Sequence, residues 1–289
     1  MITKTLLIAI LILGSMSLVT GGEKWVLADA TRQKCIALLQ KSMRSAEFWP
    51  SMHAAEALFF GGYGKDVTEF LEPRLTEELD DQHRCGLARE LVRCGDSAKS
   101  AVLFGILKSP ENYAHVHAAE SLYKVGYPGD DSVLQTVFAG TVDPRLKLMA
   151  AAALGKHSRG EKRDDALRFL RVHIQTETDP ELFRLSAWVL GDIGNEDDKA
   201  LIRQRLLDTN NPTQKSYLIH ALAQLGDPAG RTALLANFES EVPAIRTSAA
   251  VIAGKSGIVE AAPLLVRQLN DRNLDARVRA AQGLLVLSR

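Results

Sequence analysis

One phrase returns along most of this 289-residue chain and limits what it can fold into. In His117-Ala118-Ala119-Glu120-Ser121-Leu122-Tyr123-Lys124-Val125-Gly126 it reads as a small pair, an apolar residue three places on, and Gly four places later. With the second small residue as anchor, the anchors are Ala55, Ala88, Ala119, Ala151, Ala187, Ile219, Ala250 and Ala281, spaced 33, 31, 32, 36, 32, 31 and 31 residues apart. Three residues after each stand Leu58, Leu91, Leu122, Leu154, Leu190, Leu222, Ala253 and Leu284. Four further on stand Gly62, Gly95, Gly126, Ser158, Gly194, Gly226, Gly257 and Ser288. Self-similarity at such a period marks a stacked array of small units, each unable to bury its own apolar face alone.

The columns describe a helix ended by glycine. A small anchor lets two helices approach closely, and the residue three places on shares its face. Gly one turn later can take the left-handed conformation that stops a helix. Asp143-Pro144, Asp179-Pro180 and Asn211-Pro212 stand eight and seven residues before their anchors, where Asp or Asn caps and Pro opens a helix. A second helix fills each gap, as in Ala229 to Glu239 and Val259 to Leu269. Two helices per unit without strand-like alternation predict an all-α chain, an α-solenoid of about eight helical hairpins.

On these residues the chain resembles the HEAT-repeat family, most closely its short, alanine-rich, phycobilisome-lyase-type repeats. The resemblance covers residues 31–289 and implies a HEAT-like solenoid, a fold that serves mostly as a binding scaffold.

Residues 1–21 read as a secretory signal peptide. Lys4 precedes an apolar run over Leu6 to Leu13, and Val19-Thr20-Gly21 offers small residues for cleavage. Ala28-Asp29-Ala30 is a second candidate, which leaves 22–30 as a short lead-in. The run is short for a membrane span, so an uncleaved anchor is the alternative, and no Cys follows it to carry a lipid. The expected location is periplasmic or secreted. With 35 basic and 35 acidic residues the chain has no basic surplus to commit to nucleic acid.

Aromatics crowd the first repeat: Trp25, Phe48, Trp49, Phe59, Phe60, Tyr63 and Phe70. They are expected to close the exposed end of the array. Pro73 should kink or shorten its helix. The longest spacing falls on His157 to Arg163, expected as an open basic loop. Cys85 and Cys94 lie nine apart on one helix, about 13 Å along it, so they cannot bridge, and Cys35 is one repeat away. Buried free thiols are expected.

Four residues before the anchors stand Ser51, Arg84, His115, Lys147, Phe183, Lys215, Arg246 and Arg277. This basic column looks like a phosphate stripe, but it lies about 40° from the anchor on the inward side. A structural role in holding neighbouring turns is expected.

His53 and His117 occupy identical repeat positions, each followed by Ala-Ala-Glu. Deoxyhypusine hydroxylase, a HEAT-type iron enzyme, binds metal through His-Glu dipeptides at this part of its repeats, and no His-Glu dipeptide occurs here. Two repeats place the histidines about 16 to 20 Å apart, too far to share an ion whose ligands lie within about 2.1 Å. No metal or cofactor is expected. Neither a Gly-rich phosphate loop, a G-x-S-x-G elbow nor a Cys-x-x-Cys occurs.

What remains is a surface. Positions two before, one after and five after the anchor fall within about 60° of one another, away from the buried face. In HEAT-like stacks the second helix lines the concave side. Binding candidates on this stripe are His53, Glu56, Arg89, Arg93, His117, Glu120, Lys124, Trp188, Tyr217 and His220. Further members include Phe60, Met149, Lys156, Leu185, Asp192, Gln224, Ser248, Val251, Lys255, Arg279 and Gln282. Aromatics and Arg among polar groups are typical of protein contacts. The reading is an exported, non-catalytic protein-binding or assembly scaffold; the alternative is a metal-dependent, deoxyhypusine-hydroxylase-like, or chromophore-lyase-like HEAT enzyme. At the C-terminal end Val278 and Leu285 lie on a flank with no ninth repeat to cover it. It is expected to be exposed and to invite self-association.

Overall fold

The computed structural model describes residues 25–289. The signal-peptide segment, residues 1–21, lies outside the described residues. The described chain is all-α, with sixteen α-helices paired into eight hairpins. The inner helix of each pair carries the anchor: α2 (Phe48–Gly61), α4 (Asp81–Arg93), α6 (His115–Val125), α8 (Pro144–His157), α10 (Pro180–Ile193), α12 (Pro212–Gln224), α14 (Pro243–Lys255) and α16 (Leu274–Leu287). The outer helices are α1 (Asp29–Met43), α3 (Gly64–Glu77), α5 (Ser100–Lys108), α7 (Ser132–Gly140), α9 (Glu161–Thr176), α11 (Glu196–Asp208), α13 (Pro228–Leu234) and α15 (Ala262–Gln268). Short 3-10 turns lead into α5, α6 and α15 and extend α13.

The start signals act as the spacing predicts. Asp143, Asp179 and Asn211 each accept hydrogen bonds from the two backbone N–H groups that follow the opening proline, and Asn273 caps α16 through Ala276 N. The stop signals follow suit at Gly62 (φ 95°) and Gly126 (φ 79°). Gly194 is the exception: its φ is −73°, and the chain leaves α10 extended. Seven of the eight anchors, Ala55, Ala88, Ala119, Ala151, Ala187, Ala250 and Ala281, are fully buried, and Ile219 is half-buried.

Three local expectations change. Helix α3 runs four residues past Pro73 to Glu77. Pro73 is exposed, so water can take the carbonyl its ring leaves unbonded. The extra residues after His157 do not form an open loop; Lys162 and Arg163 extend α9, the longest helix at 16 residues. The described part of the lead-in joins the fold, with Leu27 4% exposed within the core and Trp25 packed against it. The third change concerns the ends.

The solenoid closes. Helix α16 packs along α14 on one side and along α2 and α1 on the other. One core cluster therefore joins Leu39, Met52 and Leu58 to Ala250, Leu265 and Leu284. Val278 and Leu285, expected on an exposed flank, are 0% and 1% exposed. A Cβ placed on Gly61 would stand 3.2 Å from the Leu285 methyl, which shows how closely α2 and α16 meet. Polar bonds cross the same seam: Arg32 to Ser288 Oγ (2.9 Å), Lys34 to Asn270 (3.0 Å), and the Arg289 guanidinium to the Phe59 carbonyl (3.2 Å). The self-association expected through the last repeat thus loses its surface, because the first repeat supplies the missing neighbour. For the same reason the N-terminal aromatics do not close an open end. Phe48 stacks on His83 with centroids 3.8 Å apart, Trp49 stacks on His117 at 5.0 Å, and Phe60 faces the ring interior.

The three thiols are unpaired, two buried and Cys94 half-buried at the end of α4. The basic column holds turns: Arg246 grips both Asp271 oxygens (2.7 and 2.9 Å) and the Ser240 carbonyl (2.6 Å), and Arg277 donates to the carbonyl of Asp271 (2.7 Å). Among the described residues no helix is long and apolar enough to cross a membrane.

Candidate functional site

Because the eight inner helices run side by side around a ring, equal registers on successive helices meet as levels of one lumen. Its cavity measures about 590 Å³. Nine of the ten candidate residues line it: His53, Glu56, Arg93, His117, Glu120, Lys124, Trp188, Tyr217 and His220. The tenth, Arg89, does not. Its guanidinium is 5% exposed and donates to Glu90 at 2.6 Å, inside the wall. In the column one after the anchor, Gln282 is likewise drawn into the wall at 2% exposure, and His220, at 3%, reaches the cavity only at its edge. Ring closure narrows the inner circle, so positions that would flank an open groove become seam residues.

The lumen has two unlike sides. On α16, α2, α4 and α6 the wall is charged. Arg279 donates to Glu56 at 2.7 Å, and Arg93 stands 3.6 Å from the same carboxylate and 2.8 Å from Glu90. Burial alone would raise the Glu56 carboxyl, but Arg93 and Arg279 outweigh it and hold it well below the usual carboxylate range. Glu120 takes the Lys124 ammonium at 2.6 Å; burial raises this carboxyl too, and Lys124 brings it down to about 2. His53 Nδ1 lies 2.6 Å from Asp275 Oδ1. Burial and the nearby Arg279 nevertheless push the imidazole below its ordinary value, so it is neutral at pH 7 and donates through Nδ1. Burial also lowers His117, whose face is covered by Trp49.

On α8, α10, α12 and α14 an apolar band of Met149, Leu185, Trp188, Tyr217 and Val251 lies between two charged levels, Arg145, Glu181 and Arg184 towards the helix starts and Lys156, Asp192 and Lys255 towards their ends. Trp188 does two jobs at once. It packs edge-on against Tyr123 with centroids 5.0 Å apart, under the Lys124 ammonium at 5.4 Å, and it also faces the cavity. Next to it His220 has a buried Nε2 without a hydrogen-bond partner among the described residues, and burial drives its pKa down to about 3.

The level nearest the inner helices' C-termini is basic. Asp192 accepts from Lys156 (2.7 Å) and from the Tyr123 hydroxyl (2.9 Å), and Lys255 stands 3.5 Å away. Burial raises Asp192, but Lys255 and Lys156 outweigh it and hold it down. Tyr123, four residues after its anchor on α6, brings its hydroxyl to the lumen because α6 sits beside α8 rather than at an open edge. The column three before the anchor also enters the wall, through Val116, Arg184 and Thr247. The repeat register could have shown that column, since it lies one turn from the stripe.

No three His, Cys, Asp or Glu side chains converge as a metal-ligand set among the described residues. Burial pushes the thiols up, Cys35 to about 11 and Cys85 to about 12, which leaves neither as a ready thiolate. The lumen presents fixed cations, buried imidazoles and an apolar band to whatever occupies it.

The profile of the family described as HEAT repeats matches residues 200–285, the last three hairpins. Human deoxyhypusine hydroxylase, in a structure with glycerol, is similar over 90% of this chain and 97% of its own, at 16% identity and a TM-score of 0.42. That level of likeness carries no inference about chemistry. No curated protein matches the chain. The matched hairpins share their anchor register with the five before them, so the described chain is an all-α solenoid of HEAT-like repeats, with the family's profile matching its last three hairpins.

Proposed function

We propose that this chain is an exported, non-catalytic binding scaffold whose recognition surface is the lumen of the ring. One observation carries the reading: nine of the ten candidate side chains, taken from five different inner helices, line a single cavity of about 590 Å³. Ligand pockets commonly span about 300 to 1,000 Å³. A folded domain is far larger, so a protein partner would have to enter as a narrow segment, and a small molecule would fit whole. The positive start and apolar run of residues 1–21 support export.

A photo-reactive residue placed at Trp188 tests the surface, with one at the outward Leu207, 78% exposed, as control. Irradiated in the native envelope fraction, position 188 should capture an occupant that position 207 does not. Capture only at 207 would move recognition to the outer face. Deleting residues 2–21 should leave a folded protein in the cytoplasm; continued export of the shortened chain would end the signal-peptide reading. The metal-dependent enzyme alternative is settled by metal analysis. One or two tightly held ions per chain, lost in His53→Ala or His117→Ala, would replace the scaffold reading.

A further inference from the structure

We propose that the lumen selects amphipathic anions, holding an acidic group between Lys156 and Lys255 and an apolar body against the arc of α8, α10 and α14. This deepens the reading of the lumen as the recognition surface and rests on it.

The charge balance points this way. The chain as a whole is neutral, with 35 basic and 35 acidic side chains. Seven Lys or Arg but only four Asp or Glu line the cavity. The surplus is built into the pairing. Asp192 alone answers two ammonium groups, Lys156 at 2.7 Å and Lys255 at 3.5 Å, and also takes the Tyr123 hydroxyl. On the opposite wall the guanidinium groups are answered, Arg279 by Glu56 and Arg93 by Glu90 at 2.8 Å with Glu56 at 3.6 Å, so the surplus lies with the lysines. Like charges held together in a partly dehydrated site repel, and a bound anion relieves that repulsion. Lys156 and Lys255 are the members able to receive it, with side chains 30% and 41% exposed, whereas Arg93 and Arg279 are 11% and 9% exposed. An acidic group can thus reach both ammoniums without displacing Asp192.

The body of the ligand follows from the opposite end of the same helices. Leu185 stands seven residues before Asp192 on α10, about 10 Å along the axis at 1.5 Å per residue. Between those levels lies Trp188, and Met149 on α8 and Val251 on α14 line the same cavity. A short alkyl or aryl body covers that distance. A free organic acid and an acidic end of a peptide with apolar neighbours share this chemistry.

Calorimetric titration of the full-length purified protein decides it, with four probes: decanoate, decanol, decyltrimethylammonium and inorganic phosphate. Decanoate should bind at least tenfold more tightly than decanol, which lacks the charge, and than phosphate, which lacks the body. Decyltrimethylammonium should bind most weakly. Lys156→Gln with Lys255→Gln should lower decanoate affinity at least tenfold and leave decanol unchanged; the paired Lys→Arg changes should retain decanoate binding. A decapeptide ending in apolar residues and a free carboxylate, compared with its amide, separates the two sources. Equal affinity for decanoate and decanol, no change in the double Gln variant, or no binding of any acidic probe overturns the proposal. A cross-linked occupant at position 188 that carries no acidic group would sink the anion assignment and leave the lumen as recognition surface. Failure of both experiments would remove both.

Discussion

At the scale of the residue, His220 shows how the lumen trades solvation for order. Its ring is 3% exposed, its Nε2 has no partner among the described residues, and burial takes its pKa down to about 3. An unfolded histidine titrates near 6.5. Between those values the unfolded chain binds a proton that the native site refuses, so stability is complete above about pH 6.5 and falls as the pH drops. The slope from one such group is about 1.4 kcal/mol per pH unit. Burial shifts His53, His117 and His157 in the same direction. Glu56, Glu120 and Asp192 are depressed instead, so their contributions are present above the ordinary carboxylate range and are lost only at lower pH. Acid sensitivity between pH 6.5 and 5 is therefore set by histidine. His220→Met should reduce the pH dependence of unfolding free energy in that window by about 1.4 kcal/mol per unit. Urea titrations at pH 7, 6 and 5 measure it, and an unaltered slope would mean that His220 is hydrated or paired.

At the scale of the element, the inner helices depend on close approach. A Cβ on Gly283 would sit 2.7 Å from the Ala250 carbonyl oxygen, and one on Gly254 would sit 2.7 Å from the Gly283 backbone. Helices α14 and α16 touch there through backbone, so an added methyl has no flexible side chain to push aside. Gly283→Ala should destabilise the protein by about 1 to 3 kcal/mol through overpacking. Gly105, exposed within α5, has nothing within 4 Å of the same added atom. Gly105→Ala should therefore stabilise by about 0.5 to 1 kcal/mol, because alanine is the better helix former. Thermal or urea unfolding of the two variants should move in opposite directions. A shift of the same sign in both would show that propensity, not helix contact, governs the Gly283 site.

At the scale of the whole molecule, closure of the ring is the property on which the lumen depends. Leu285 is 1% exposed at the α16–α2 seam, and the Arg279–Glu56 pair and the His53–Asp275 bond cross the same seam. Leu285→Glu would lose a buried apolar contact and bury a charge without a partner, at a cost of about 3 kcal/mol or more. Hydrogen exchange should quicken in α1, α2 and α16 together, and small-angle scattering should report a larger particle as the ring opens. Light scattering supplies the contrary outcome. A wild-type oligomer that Leu285→Glu converts to a stable monomer would show that this flank is exposed in solution and that the solenoid is open.

The hairpins were legible because each is set by signals within about a dozen residues. Asp179-Pro180 starts α10, the apolar anchor face fixes its orientation, and that apolar face recurs in every repeat. The lumen stripe was legible for the same reason, since helical periodicity alone puts Glu56, Lys124 and Trp188 on one side. Two things were not. Arg89 shares the column of Glu120 but lies in the wall, because burial at that column depends on how tightly neighbouring inner helices close. The second was the partnership of Leu285 with Gly61, 224 residues away in sequence. The turn from one hairpin to the next is a small rotation produced by many side-chain contacts, and no single column encodes it. Only the sum of eight such rotations decides between an open groove and a ring, and that sum exists only in the packed tertiary structure.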